Sequence, residues 1–349
     1  MRELVISGRR VADDTDAYVI AEIGHNHGGR LDVAEELVRR AAAAGADAVK
    51  LQKRDNERLF TGAMYHSPYT GPNSYGPTYG LHRAALEFGR AEYKHLIDVA
   101  KTEGVDLFAT AFDEQSVDFL TELGIDTIKI ASADVTNPPL LEYAAKAART
   151  LIVSTGGAGI DDVRRACDRI LPLNAGLALL QCTAMYPAAP ADLNLSVITT
   201  FRQQFPSVTI GFSGHDLGPQ LSWIAYTLGA RVIEKHFTLD RAGKGTDHQF
   251  SLDPQQLTDL VDGLRRTNSS LGSPHKVMLP GEIPAIQKMG KKLVAARALP
   301  AGHSLTEHDI VRKSPGDGLK PSEVGLVLGR RLRIALQAEE DLRLDVLEA

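Results

Sequence analysis

VDLFATAFDEQSVDFLTELGIDTIKIASAD, residues 105–134, holds one complete repeat of a larger pattern. A short apolar run at 105–110 predicts a strand, helical spacing over 114–123 predicts a helix, and a second apolar run at 126–131 predicts the next strand. Outward from this unit the same alternation recurs. Strands are predicted at 18–23 (YVIAEI), 47–52 (DAVKLQ), 150–154 (TLIVS), 177–182 (LALLQC), 208–212 (VTIGF) and 230–236 (ARVIEKH). Helices are predicted near 31–44, 90–103, 138–148, 160–171, 192–204, 217–228 and 254–271, several opened by Asp, Ser or Pro. Eight strand and helix pairs over about 255 residues match an α/β fold of the (β/α)₈ TIM barrel type in number and length. A doubly wound open sheet rarely needs eight units, and no GxGxxG follows the first strand.

The chain has 349 residues, which is long for one undivided core. Composition after the last barrel helix turns to GSPHKVMLPGEIP at 272–284, a linker by its prolines and glycines. The expected organisation is therefore a catalytic barrel over 1–272, a linker over 273–285 and a small β-rich domain over 286–349. Residues 53–89 break the barrel rhythm with HSPYTGPNSYGPTYG at 66–80, a connection long enough to be expected to face substrate.

Lys and Arg total 39 against 44 Asp and Glu, a net charge of −5 with both signs mixed along the chain. No long-range field recruits nucleic acid or a membrane surface. Cys167 and Cys182 are too few for a disulfide framework and match no zinc spacing, so a reducing cytoplasm is expected. The N-terminus lacks the apolar core of a signal peptide, and no run of about 18 apolar residues exists to span a bilayer.

Barrel enzymes assemble their sites at the C-terminal ends of the strands. Glu22 ends the first strand, with His25, Asn26 and His27 beyond it, and Lys50 and Gln52 share one face of the second. Thr110, Lys129, Ser132, Asp134, Ser154, Ser213 and His215 follow at later ends, and Glu234 and His236 share a face of the last strand while Lys235 points the other way. Lys50 and Lys129 with the hydroxyls of Thr110, Ser132, Ser154 and Ser213 combine two cations with neutral donors, a set suited to a phosphate. His215 and His236 stand on neighbouring strands, so both imidazoles can converge on one divalent ion such as Mn²⁺ or Fe²⁺. Glu22 is suited to substrate hydroxyls or proton transfer, and Asp247 lies over the mouth.

At these same residues the chain resembles the sialic acid synthase family. AEIGHNHGG at 21–29, VKLQK at 49–53, ATAFD at 109–113, KIASAD at 129–134, VSTGGA at 153–158, GFSGHDLG at 211–218 and IEKHFTLDR at 233–241 are similar to its successive motifs. AARALPAGHSLTEHDI at 295–310 and SPGDGL at 314–319 resemble the antifreeze-like (SAF) sugar-binding domain that these synthases carry at the C-terminus. The resemblance implies condensation of phosphoenolpyruvate with the open-chain aldehyde of an N-acylated mannosamine-type sugar, giving phosphate and a nine-carbon 2-keto-3-deoxy acid. Lys50, Thr110, Lys129, Ser132, Ser154 and Ser213 would hold phosphoenolpyruvate. His215 and His236 would hold a divalent metal, Mn²⁺ first, with Mg²⁺ or Co²⁺ as alternatives. Glu22, Tyr186 and Asp247 would contact the sugar, and Glu22, Asp134, His215 and His236 would be the catalytic groups. A domain-swapped homodimer is implied, in which one subunit's C-terminal domain covers the other's active site.

Three positions depart from the family pattern. Asp134 stands where many members have glutamate, Ala184 replaces an asparagine that lines the site, and Ser314 replaces the arginine of an Arg-Pro-Gly motif, leaving Arg312 or Lys313 as substitutes. A diacetamido-trideoxy sugar, as in legionaminate or pseudaminate synthases, or another aldose is the alternative acceptor. The rivals of other classes are a Schiff-base aldolase using Lys129 or Lys50 and a non-catalytic sugar-binding protein.

Overall fold

Two short strands, β1 (Glu3–Ile6) and β2 (Arg9–Ala12), begin the chain as an antiparallel hairpin in a computed structural model that describes residues 2–174 and 176–348. Alternation along β1 places Leu4 and Ile6 in the core of the first unit, where Val11 of β2 joins them. Eight strands then form the barrel: β3 (Tyr18–Gly24), β4 (Ala48–Lys53), β5 (Asp106–Ala111), β6 (Thr127–Ile130), β7 (Thr150–Ser154), β8 (Leu177–Cys182), β9 (Thr209–Gly214) and β10 (Val232–His236). They close in the order β10-β3-β4-β5-β6-β7-β8-β9, each pair parallel. β3 and β7 to β10 are buried throughout, as expected of a parallel sheet covered on both faces.

The register decides which polar ends meet. Glu22 pairs with Lys50, Thr110 with Lys129, Cys182 with Ser213, Ser213 with Glu234, and His236 with Glu22. Helices pack outside by apolar stripes: over Leu31–Ala43, Ala34, Leu37, Val38 and Ala41 are buried, at helical spacing. Full burial of a side chain such as Leu37 contributes about 1.5–3 kcal/mol.

The long connection after β4 is ordered into three short helices, Asn56–Leu59, Gly62–Tyr65 and Tyr79–Ala84. Each is too short to show a helical period in sequence, and each starts at a side-chain cap: Asp55, Thr61 and Thr78 accept from Arg58, Met64 and Leu81 backbone N–H groups. Asp113 ties this connection to the barrel. Its Oδ1 caps helix Glu114–Glu122 through Ser116 N at 2.7 Å, while its Oδ2 accepts from Asp55 N at 2.7 Å. Farther along, Tyr75 Oη donates to the Lys244 carbonyl at 2.6 Å and Gly245 N donates to Asn73 Oδ1 at 3.1 Å. The connection is thereby fixed to the segment after β10.

The chain divides into two compact units, Met1–Gly272 and Ser273–Ala349. The second has its own core of Leu293, Leu299, Leu305, Leu332, Leu342 and neighbours around the antiparallel pair β11 (Lys292–Ala295) and β12 (Ile310–Lys313). Helix Ile283–Met289 precedes it. Among the described residues no helix is long and apolar enough to cross a membrane.

Candidate active site

Polar groups at the C-terminal ends of the barrel strands enclose a cavity of about 710 Å³. Its floor is an ionic cluster. Lys50 Nζ lies 2.7 Å from Glu22 Oε2 and 3.9 Å from Glu234 Oε1, and donates to Thr110 Oγ1 at 2.8 Å. Gln52 Nε2 donates to Glu22 Oε1 at 2.8 Å, and Ser213 Oγ donates to Glu234 Oε1 at 3.0 Å. Lys129 is buried beside them, and burial lowers its pKa. The two carboxylates differ. Burial raises Glu22 above the usual carboxylate range despite Lys50, whereas burial of Glu234 is outweighed by Lys129 and Lys50, which hold it below that range.

Two cations and two carboxylates balance before any substrate arrives, and several polar atoms on this floor remain unmatched. Ser154 Oγ and Glu234 Oε2 are buried without a hydrogen-bond partner among the described residues. Such groups cost about 1–3 kcal/mol each unless something fills the space between them. Ser132 Oγ accepts from Gly156 N at 3.0 Å.

His215 and His236 face each other with ring centroids 5.4 Å apart. His215 Nδ1 is 2.9 Å from the Thr183 carbonyl, which fixes that nitrogen as the N–H donor and leaves Nε2 with a free lone pair. His236 Nδ1 is buried without a hydrogen-bond partner among the described residues, 3.8 Å from Asp247 Oδ2. Burial pushes both imidazoles down to about 4, so both are neutral and able to ligate near pH 7. This donor set fits a divalent ion whose remaining ligands are oxygens from water or substrate. Among the described residues no group of three or more His, Cys, Asp or Glu side chains is placed to hold a metal ion, so the imidazole pair carries the fit alone. Lys235 turns away from the cavity and pairs with buried Asp216 at 2.8 Å, as strand alternation requires.

Of the residues singled out in the sequence, Glu22, Lys50, Thr110, Lys129, Ser132, Ser154, Tyr186, Ser213, His215, His236 and Asp247 all line this cavity. Asp134 does not. The 3₁₀ turn Ser132–Asp134 carries it off the wall, and its Oδ1 accepts from Asn137 Nδ2 at 3.2 Å. Ala184 lines the cavity, where its methyl group offers no hydrogen bond. In the second unit Arg312 and Lys313, which precede Ser314, are paired with Glu307 and Glu339.

The long connection supplies the rest of the wall through Tyr69, Asn73, Tyr75, His82, Arg83 and Leu86. Arg54 and Arg83, which no motif had drawn attention to, stand there with His25 between them. Arg54 was accessible from the alternation that exposes Lys50 and Gln52, two residues apart on one strand face. Arg83 lies in a short helix with no such period.

Comparison with known proteins agrees with this geometry. The NeuB family model matches residues 37–276 and the SAF domain model matches residues 292–348. The chain is 38% identical to the N-acetylneuraminate-9-phosphate synthase of Mus musculus, over 98% of this chain and 96% of that protein. It is 36% identical to the N,N'-diacetyllegionaminic acid synthase of Legionella pneumophila, over 95% of each chain. Among solved structures, the N-acetylneuraminic acid synthetase of Leptospira borgpetersenii superposes with a TM-score of 0.72 at 30% identity, covering 82% of this chain and 95% of that one. With its phosphate-suited floor, its histidine pair and a match over most of its length, the chain belongs to the NeuB family of sialic acid synthase-type enzymes.

Proposed function

We propose that the chain condenses phosphoenolpyruvate with the open-chain aldehyde of an N-acylated mannosamine-type aldose, giving a nine-carbon 2-keto-3-deoxy acid and inorganic phosphate. The observation that carries this reading is the convergence of Lys50, Lys129, Thr110, Ser154 and Ser213 beside the His215 and His236 pair in one cavity. Relatives whose names specify N-acetylneuraminate 9-phosphate and diacetyllegionaminate support the substrate class, with a diacetamido-trideoxy sugar as the alternative acceptor.

Lys50 and Lys129, with Thr110, Ser132, Ser154 and Ser213, bind and orient phosphoenolpyruvate. His215 and His236 would hold a divalent ion, Mn²⁺ in the first instance, which supplies Lewis-acid polarisation of the aldehyde oxygen. Glu22, oriented by Gln52, faces the acceptor together with Tyr186 and Asp247. Carbon three of phosphoenolpyruvate forms the new bond to the aldehyde carbon, and holding both reactants in one cavity supplies much of the acceleration. Water then adds at carbon two, and the carbon–oxygen bond to phosphate breaks. The water gives up two protons: one balances the proton gained by the former aldehyde oxygen, the other leaves with phosphate as the carbon-two hydroxyl becomes the keto group, and Glu22 and Glu234 are the carboxylates in the cavity suited to carry them.

The C-terminal unit is read as a lid in a swapped homodimer. Buried free thiols at Cys167 and Cys182 accord with a cytoplasmic setting. Turnover in ¹⁸O-water tests the bond that breaks. Phosphate free of ¹⁸O is expected, because it leaves with its original bridging oxygen; phosphate carrying one ¹⁸O atom per turnover would mean attack at phosphorus and refute the mechanism.

A further inference from the structure

We propose that the buried ion pair of Lys235 with Asp216 positions the two imidazoles, setting the separation and orientation of His215 and His236 and with them the affinity for the divalent ion. This rests on the reading above that the imidazoles hold that ion, and it gives a role to two residues that do not line the cavity.

Lys235 stands where packing alone would place an apolar residue. Strand alternation turns Glu234 and His236 into the cavity and Lys235 outwards, into the layer between barrel and helices. Lys235 and Asp216 are each 1% exposed. Lys235 Nζ donates to Asp216 Oδ1 at 2.8 Å and to the Asp216 carbonyl at 2.6 Å, while Asp216 Oδ2 is buried without a hydrogen-bond partner among the described residues. Apolar side chains of similar volume often serve stability as well as a buried ion pair does, so stability alone does not account for this one. An added Cβ at Gly214 would lie 2.6 Å from Asp216 Oδ1, so the glycine leaves room for the carboxylate to fold back towards β10.

The connectivity shows what the pair joins. Asp216 directly follows His215, and Lys235 directly precedes His236. Pairing between β9 and β10 ends at Gly214 opposite Lys235, one residue short of both imidazoles. Beyond that point the two histidines are anchored in opposite directions. His215 is held to the segment after β8, its carbonyl accepting from Ala188 N at 3.1 Å and its Nδ1 lying 2.9 Å from the Thr183 carbonyl. His236 is held on the other side, in register with Glu22 of β3, and its carbonyl accepts from Leu252 N at 2.7 Å. Lys235 and Asp216 bridge these two anchorages with charge-assisted hydrogen bonds. Phe250 also packs on both rings, at centroid distances of 5.9 and 4.9 Å, but ring packing fixes direction less sharply than a charged hydrogen bond does. Metal–ligand distances tolerate deviations of only about 0.2 Å, so a shift of one anchorage past the other weakens binding.

The test is titration of the full chain with Mn²⁺, without sugar or phosphoenolpyruvate, reading free Mn²⁺ by electron paramagnetic resonance. The Kd for phosphoenolpyruvate in metal-free buffer and the urea midpoint are measured alongside. In K235M/D216N, which removes both charges, the Kd for Mn²⁺ is expected to rise about 10–100-fold, the range for groups that orient a ligating histidine, with the Kd for phosphoenolpyruvate unchanged. D216N alone, which leaves Lys235 its contact with the backbone carbonyl, is read in its place if the double variant does not fold, and a rise of about 10-fold is expected. A purely structural pair would lower the urea midpoint and leave the Kd of the folded chain for Mn²⁺ unchanged; that result would overturn the inference and leave the imidazole site standing. Equal weakening of Mn²⁺ and phosphoenolpyruvate binding would also overturn it, as a general loosening of the barrel mouth. Absence of Mn²⁺ binding in the unsubstituted chain would overturn the metal reading and this inference together.

Discussion

His236 presents a buried Nδ1 with no hydrogen-bond partner among the described residues, while His215 has its own Nδ1 engaged by Thr183. Replacing His236 by alanine is expected to abolish bound metal and lower turnover by about 100-fold or more, with an unchanged circular dichroism spectrum. Full activity in metal-free buffer would contradict the assignment. K129M removes one of two cations from the floor, and the expected effect is a rise of about 10–100-fold in KM for phosphoenolpyruvate. An unaltered KM would remove Lys129 from the phosphate site. These residues were legible in the sequence because a buried parallel strand is otherwise apolar, so a lysine, carboxylate or histidine at its end stands out. Asp134 differs for a local reason: it comes after Lys129 and Ser132 in the same motif, but a 3₁₀ turn intervenes and strand alternation no longer dictates its direction. Arg83 was invisible because one turn of capped helix carries no period.

Barrel strands and their long helices follow from period and length, and their ends agree with the sequence reading to within a few residues. The hairpin β1–β2 was not among the elements read from the sequence: ELVI alternates but RRVA does not, and the turn between them rests on Ser7 and Gly8 with φ values of 47° and 84°. The connection after β4 was recognisable as a substrate-facing element by its length, but not as three capped helices. Its placement depends on close backbone approach at Gly29, where φ is +76° and a Cβ would lie 2.1 Å from the Ala85 carbonyl oxygen. G29A is therefore expected to cost about 2 kcal/mol or more, seen as a lower urea midpoint, together with a raised KM for the acceptor. A variant with wild-type stability and acceptor KM would show that this approach does not position the loop.

The two units have separate cores, so the barrel is expected to remain folded when the chain is ended at Pro284. Loss of metal-dependent turnover in that truncated chain would support a covering role for the second unit, and full activity would contradict it. Stability should also report the buried imidazoles. His27, His82, His215 and His236 are pushed from 6.5 to about 4, chiefly by burial. Between these values the unfolded chain takes up protons that the folded one refuses, so metal-free stability is expected to fall as pH drops from about 6.5 towards 4. The limiting slope is about 1.4 kcal/mol per pH unit for each such group. A urea midpoint constant from pH 7 to pH 5 would contradict this.

Phosphate release from phosphoenolpyruvate, measured with Mn²⁺ and either N-acetylmannosamine or its 6-phosphate in the presence and absence of a chelator, tests the proposed reaction most directly. Release that requires the sugar, matches the keto acid formed mole for mole and stops with chelator is the expected result. Release without sugar, or turnover indifferent to chelator, would contradict a metal-assisted condensation at this cavity.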